Sequence, residues 1–128
     1  MQVYIPRVDK ERNQFKWIDS TDESGPIQNS LETSTQLLAF QNKEPTWNET
    51  RQTHTLEFFN RAKISSTKNF QLVDSYDKDK IYVLFGKESQ DIFNMDVHFP
   101  FSIFQAFCIC VSSFDTKLLC EWEIDILK

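Results

Sequence analysis

The sequence predicts a mostly β fold with one buried helix, an α+β chain whose antiparallel barrel wraps a central apolar helix near residues 100–114. Three observations carry this reading. Strand-like segments recur about every ten to fifteen residues, separated by polar turns such as Asp74–Asp79. Ten of the fourteen residues from Phe101 to Phe114 are apolar and point in every direction of a helical wheel. A helix apolar all round is buried all round. Finally, 12 of the 128 residues are phenylalanine, and six of them fall between Phe93 and Phe114. The length suits a single domain over 1–128 with a core of its own. With 40% hydrophobic and 26% charged residues, wholesale disorder and the collagen, coiled-coil and disulfide-scaffold classes are excluded.

The elements follow in order. Gln2–Ile5 reads as a short strand closed by Pro6, and Gln14–Ile18 as a second strand. Residues 19–34 are Asp, Ser, Thr and Glu around Gly25-Pro26, a polar surface loop and a candidate for disorder. Leu37–Gln41 and Thr53–Phe59 read as strands. They are followed by Asn69–Asp74, Lys80–Phe85 ending at Gly86, and Asp91–Phe99. Pro100 suits the first position of the helix over Phe101–Phe114, although the aromatic and β-branched residues there also permit strand. Ser112–Lys117 predicts a turn. Cys120, Trp122, Ile124 and Ile126 then alternate with Glu121, Glu123 and Asp125, a period-two strand with one apolar and one acidic face.

The chemistry begins with exclusions. Net charge is −5, which argues against a nucleic-acid partner held by overall positive charge. There is no hydrolase elbow, zincin helix, P-loop or dinucleotide glycine fingerprint. Two glycines leave no room for a phosphate-cradling loop, so no enzyme and no cofactor is expected. His54 and His98 lie in separate strands and read as ordinary strand residues. Cys108 and Cys110, two apart on a helix, point to different sides and read as buried thiols rather than a metal pair. Three cysteines, Cys120 being the third, fit a reducing compartment better than a disulfide framework. Met1–Pro6 shows no basic n-region or apolar h-region, so no signal peptide is expected and the Asn48-Glu49-Thr50 sequon reads as chance. The apolar run Phe99–Val111 is too short to span a bilayer. The expectation is a cytoplasmic chain, at most peripheral to a membrane.

One segment invites an anion. Residues 43–68 hold five bases against three acids, whereas 74–128 hold five against ten. Within the locally basic part, Phe59–Phe70 carries Arg61, Lys63 and Lys68 and no acid. Such a run is ordinarily a solvated hairpin edge. The functional alternative is contact with a phosphate or lipid headgroup through Arg61, Lys63 and Lys68, of a strength that gives only weak membrane attachment.

Four motifs in order resemble one family. Gln41–Asn48 resembles a Q-N-K-x-P-x-W-N segment, and Asn60–Gln71 resembles G-R-V-x-x-x-S-x-K-N-F-Q. Phe85-Gly86-Lys87 resembles F-G-R, and Gln105–Glu121 is close to Q-A-F-A-I-x-L-S-S-F-D-x-K-L-A-C-E. These are motifs of the tubby family. Asn60 stands where the family has glycine, Ala62 where it has valine, and Leu119 where it has alanine. Residues 7–34 match poorly, and Trp122–Lys128 extends past the family's usual Cys-Glu end as an extra C-terminal strand.

The resemblance implies a tubby-like β-barrel around a central helix. The chain resembles only the C-terminal half of that domain, so an incomplete barrel is expected. It also implies a non-catalytic module of a membrane-tethered signalling adaptor that binds phosphoinositide, with links to the plasma membrane, the cilium or the nucleus. The family's headgroup residues lie in its first half and have no counterpart here. The alternatives are a protein-interaction or transcription-related module without lipid, or a truncated product with no independent function. Leaving Phe101, Phe104, Phe107 and Phe114 uncovered would forfeit about 6–12 kcal/mol at roughly 1.5–3 kcal/mol each, against a domain stability of about 5–15 kcal/mol. A half barrel must therefore close differently, find a partner, or belong to a longer product.

Overall fold

A computed structural model describes residues 1–9, 11, 13 and 37–114. Seven strands precede a helix: β1 (Gln2–Pro6), β2 (Leu37–Asn42), β3 (Thr46–Asn48), β4 (Thr53–Thr55), β5 (Phe70–Asp74), β6 (Ile81–Lys87), β7 (Phe93–Val97) and α1 (Ile103–Ser112). Five strands form one antiparallel sheet in the order β1-β2-β5-β6-β7, while β3 and β4 form a separate hairpin. The sheet is curled into half a barrel, with α1 laid against its inner face. The expected fold class holds, including the incompleteness of the barrel.

Alternation along the central strands builds two packed faces. Phe70 and Leu72 on β5 pair in register with Phe85 and Val83 on β6. They join Ile5, Phe40, Phe101, Ala106 and Cys110 in one buried cluster beneath the helix. The register of β5 with β6 skips Tyr82, a bulge that turns this ring onto the helix side, 5.0 Å from the ring of Phe40. The opposite face holds Gln71, Val73, Leu84 and Gly86, all buried as well. The segment from Leu56 to Ile64 crosses this face at Gln71 and Gly86. There the backbone oxygen of Glu57 accepts from Gln71 Nε2 at 2.6 Å, and the amides of Lys63 and Ile64 donate to Lys87 O at 2.9 and 3.1 Å.

That crossing segment shortens one expected strand. Thr53–Phe59 is strand only over Thr53–Thr55, because the chain leaves the hairpin to cross the sheet. It turns at Phe59 and Asn60, with φ of 49° and 62°. Asparagine is among the residues that enter this left-handed region most readily, so it can stand where the family has glycine. Gly86 lies inside β6 rather than ending it. A Cβ there would sit 2.8 Å from both Arg61 O and Ala62 Cβ, so the crossing depends on its absence. Pro6 belongs to β1, on an edge strand where its missing N–H is harmless. Asn69–Asp74 and Asp91–Phe99 are strand over Phe70–Asp74 and Phe93–Val97. The three-residue strand β3 had no sequence expectation.

The helix differs from expectation in its start and in its burial. Ser102, not Pro100, sets the N-terminus. Its hydroxyl accepts from Gln105 N at 3.1 Å while Gln105 Oε1 accepts from Ser102 N at 2.9 Å, a capping box. At one end the Phe101 ring lies 4.6 Å from Phe40, and at the other Phe114 lies 5.2 Å from Phe93. Only Ala106 and Cys110 of α1 are buried. Ile103, Phe104, Phe107 and Val111 face outward, because a half barrel covers half a helix. The expected strands Gln14–Ile18 and Cys120–Ile126, the loop 19–34 and the second half of the turn Ser112–Lys117 lie outside the described residues.

Candidate functional site

The three candidate cations fall into two environments. The turn at Phe59-Asn60 aims Arg61 back across β6 to Asp96 on β7. Its Nε and Nη2 donate to Asp96 Oδ2 and Oδ1 at 2.7 and 2.6 Å, a bidentate pair. This hydrogen bonding raises the Arg61 pKa above its ordinary value. Partial desolvation opposes the rise, and the charges of Asp96 and Glu88 add to it. Lys63 Nζ donates to Glu88 Oε1 at 2.5 Å. Glu88 also accepts from Asn94 Nδ2, and Asn94 Nδ2 in turn donates to Arg61 O at 2.9 Å. Hydrogen bonds from Lys63 and then Asn94, followed by the Lys63 charge, hold the Glu88 carboxyl below its usual range. Arg61 and Lys63 are thus part of a polar lattice that ties the crossing segment to β6 and β7.

Lys68 lies elsewhere. Its Nζ is 6.0 Å from the centre of the Phe114 ring, and it forms no ion pair among the described residues. Lys87 Nζ is 5.8 Å from the centre of the Phe93 ring. The rings of Phe93 and Phe114 meet edge to face at 5.2 Å. Two ammonium groups therefore stand over one aromatic pair near the C-terminal end of α1, where the helix dipole also favours positive charge. Sequence reasoning missed Lys87, although it closes the Phe85-Gly86-Lys87 motif. Its link to Lys68 runs through the contact between the Phe93 and Phe114 rings.

A second pair of cations was also missed. Arg7 and Lys80 line a cavity of about 260 Å³ with Val8, Leu38, Tyr82, Phe99 and Pro100. Lys80 Nζ stands 4.7 Å over the Tyr82 ring. Among the described residues, no carboxylate lines the cavity. The nearby Asp9 carboxylate is taken up by the amides of Glu11 and Asn13, at 2.8 and 2.9 Å. Arg7 and Lys80 stand far apart in the sequence, so no local run of bases announces them.

The remaining candidates are ordinary. His54 is exposed on β4, edge-on to Trp47 at 5.2 Å, and His98 is an exposed residue just past β7. Cys110 is buried, and burial pushes its thiol up to about 11. Cys108 is exposed, correcting the expectation that both thiols are buried. No group of three or more His, Cys, Asp or Glu suited to a metal occurs among the described residues. No helix among them is long and apolar enough to cross a membrane.

Comparison with known proteins places this geometry. The family model described as the Tub family matches residues 1–116. Protein king tubby 1 of Aedes aegypti is 40% identical over 123 residues, covering 94% of this chain and 30% of that protein. Tubby-like F-box protein 5 of Oryza sativa subsp. japonica is 44% identical over 111 residues, covering 80% of this chain and 25% of that protein. Tubby-like F-box protein 2 of Arabidopsis thaliana is 43% identical over 111 residues, covering 80% and 28%. The chain thus spans less than a third of the length of these curated relatives.

Proposed function

The chain belongs to the Tub family, and on that premise we propose that it is a non-catalytic tubby-like module of a membrane-tethered adaptor directed to phosphoinositide. The single observation that carries the lipid part of this reading is the pair Lys68 and Lys87. They share one aromatic platform and form no ion pair among the described residues. Arg61 and Lys63 serve the site as a scaffold, since each is already committed to a carboxylate. Two ammonium groups at a surface contribute about 1 kcal/mol each toward an anionic bilayer. That suffices for a supporting contact and requires further cations for stable attachment.

Sedimentation with liposomes, with and without phosphatidylinositol bisphosphate, tests the reading on this chain and on any longer parent. Lipid-dependent pelleting that weakens in Lys68→Gln with Lys87→Gln is expected. No lipid-dependent pelleting by either protein would sink it. A second reading, a protein-interaction module without a lipid ligand, is favoured by the uncovered apolar side of α1. Partners recovered in a pull-down only when lipid is present count against it.

A further inference from the structure

The cavity that holds Arg7 and Lys80 is walled by four parts of the chain, and the pairing of the sheet brings them together. The register of β1 with β2 matches Ile5 to Leu38 and Pro6 to Leu37, so Arg7 and Val8 leave β1 beside the start of β2. Lys80 is the residue before β6. The amide of His98 donates to Tyr82 O at 2.8 Å, which sets Phe99 against the same end of β6. The Tyr82 ring forms part of the wall, with Lys80 Nζ standing 4.7 Å over it. Two cations thus share one concavity. Among the described residues neither forms an ion pair. The rest of the lining is apolar, with Val8 and Leu38 inside and Phe99, 63% exposed, open to solvent.

Going beyond the adaptor reading, and on residues that reading does not use, we propose that this cavity binds an aryl phosphate, a phosphate monoester carried on an aromatic ring. Charge selects the phosphate. Two cations held together repel each other, and an anion between them removes that cost. A phosphate monoester carries about −1.5 to −2 at pH 7, which matches one guanidinium and one ammonium, whereas a carboxylate leaves one of them unanswered. The Arg7 fork suits two phosphate oxygens at once, and Lys80 adds a point charge. The apolar walls select what the phosphate is attached to. An inositol or other sugar phosphate presents hydroxyls on every side and would set them against Val8, Leu38 and Phe99. An aromatic ring covers those walls instead, and contacts with the rings of Tyr82 and Phe99 add to the gain. Size agrees. The cavity of about 260 Å³ falls below the roughly 300–1,000 Å³ of sites for drug-sized ligands, so one ring and one phosphate fill it. The same chemistry occurs in a free small molecule and in a phosphotyrosine side chain of a partner protein.

Titration of the full isotope-labelled chain with phenyl phosphate, followed through its amide resonances, is the test. Saturable shifts are expected at Val8, Leu38, Tyr82 and Phe99, with inorganic phosphate and phenol each at least about tenfold weaker. Arg7→Gln and Lys80→Gln should each weaken phenyl phosphate by about tenfold. The urea midpoint should stay unchanged in both, because both side chains are exposed. Lys68→Gln with Lys87→Gln should leave phenyl phosphate binding intact, so failure here and failure of the lipid reading are separate results. A short phosphotyrosine peptide that binds more tightly than phenyl phosphate places the ring on a partner protein, and one that binds more weakly places it on a free small molecule. The absence of saturable shifts overturns the proposal. Inorganic phosphate or inositol trisphosphate binding in the cavity as tightly as phenyl phosphate also overturns it, as does binding that survives Arg7→Gln with Lys80→Gln.

Discussion

At Gly86 the absence of one carbon decides how two distant parts of the chain meet. A Cβ would stand 2.8 Å from Arg61 O and 2.8 Å from Ala62 Cβ. One of these neighbours is backbone, which cannot rotate away. Gly86→Ala must therefore lift the crossing segment off β6 and strain the lattice of Arg61, Asp96, Asn94 and Glu88. The expected loss is about 1–3 kcal/mol, typical of an overpacked core. It should appear as a lower urea midpoint with an unchanged slope. A midpoint equal to that of the parent would mean that the segment does not need this close approach. Asn60→Gly sets the contrast, since glycine enters the left-handed region more freely and should be tolerated. The sequence displayed both motifs but not why they belong together. Gly86 is 25 positions from Arg61, and the acids that neutralise Arg61 and Lys63 are 35 and 25 residues away. A count of charges within Phe59–Phe70 could not register them.

The helix separates composition from position. Phe101 and Phe104 look alike in sequence, yet Phe101 is 6% exposed against Phe40 while Phe104 is 74% exposed. Phe101→Ala should cost about 3–5 kcal/mol, the range for a buried aromatic truncated in a core. Phe104→Ala should change the stability of the single chain by no more than about 0.5 kcal/mol. Chemical denaturation at high dilution measures both, and equal losses would refute the observed placement of the helix. The existence of α1 was legible because its apolar run starts after proline, whereas the Ser-x-x-Gln cap that fixes its first turn went unread. Which side faces the sheet was not legible. An all-apolar wheel has no moment to orient it, so only the extent of the surrounding sheet decides. The same limit explains Tyr82, whose direction follows from a bulge that alternation cannot foresee, and β4, which the crossing segment ends early.

For the molecule as a whole, the strand order β1-β2-β5-β6-β7 makes stability unequal across the sheet. β5 and β6 are bonded on both sides and buried on both faces, with α1 laid on one and Leu56–Ile64 crossing the other at Gln71 and Gly86. β1 is an edge strand, and the β3–β4 hairpin lies outside the sheet with Trp47 53% exposed. Local opening is easiest where few apolar contacts must break. The amides of Leu72 and Val83, both fully buried, should exchange with solvent at least about tenfold more slowly than those of β1 and of Thr46–Thr55. Mass spectrometry of deuterium uptake resolves these segments, and uniform protection would contradict a core centred on β5 and β6.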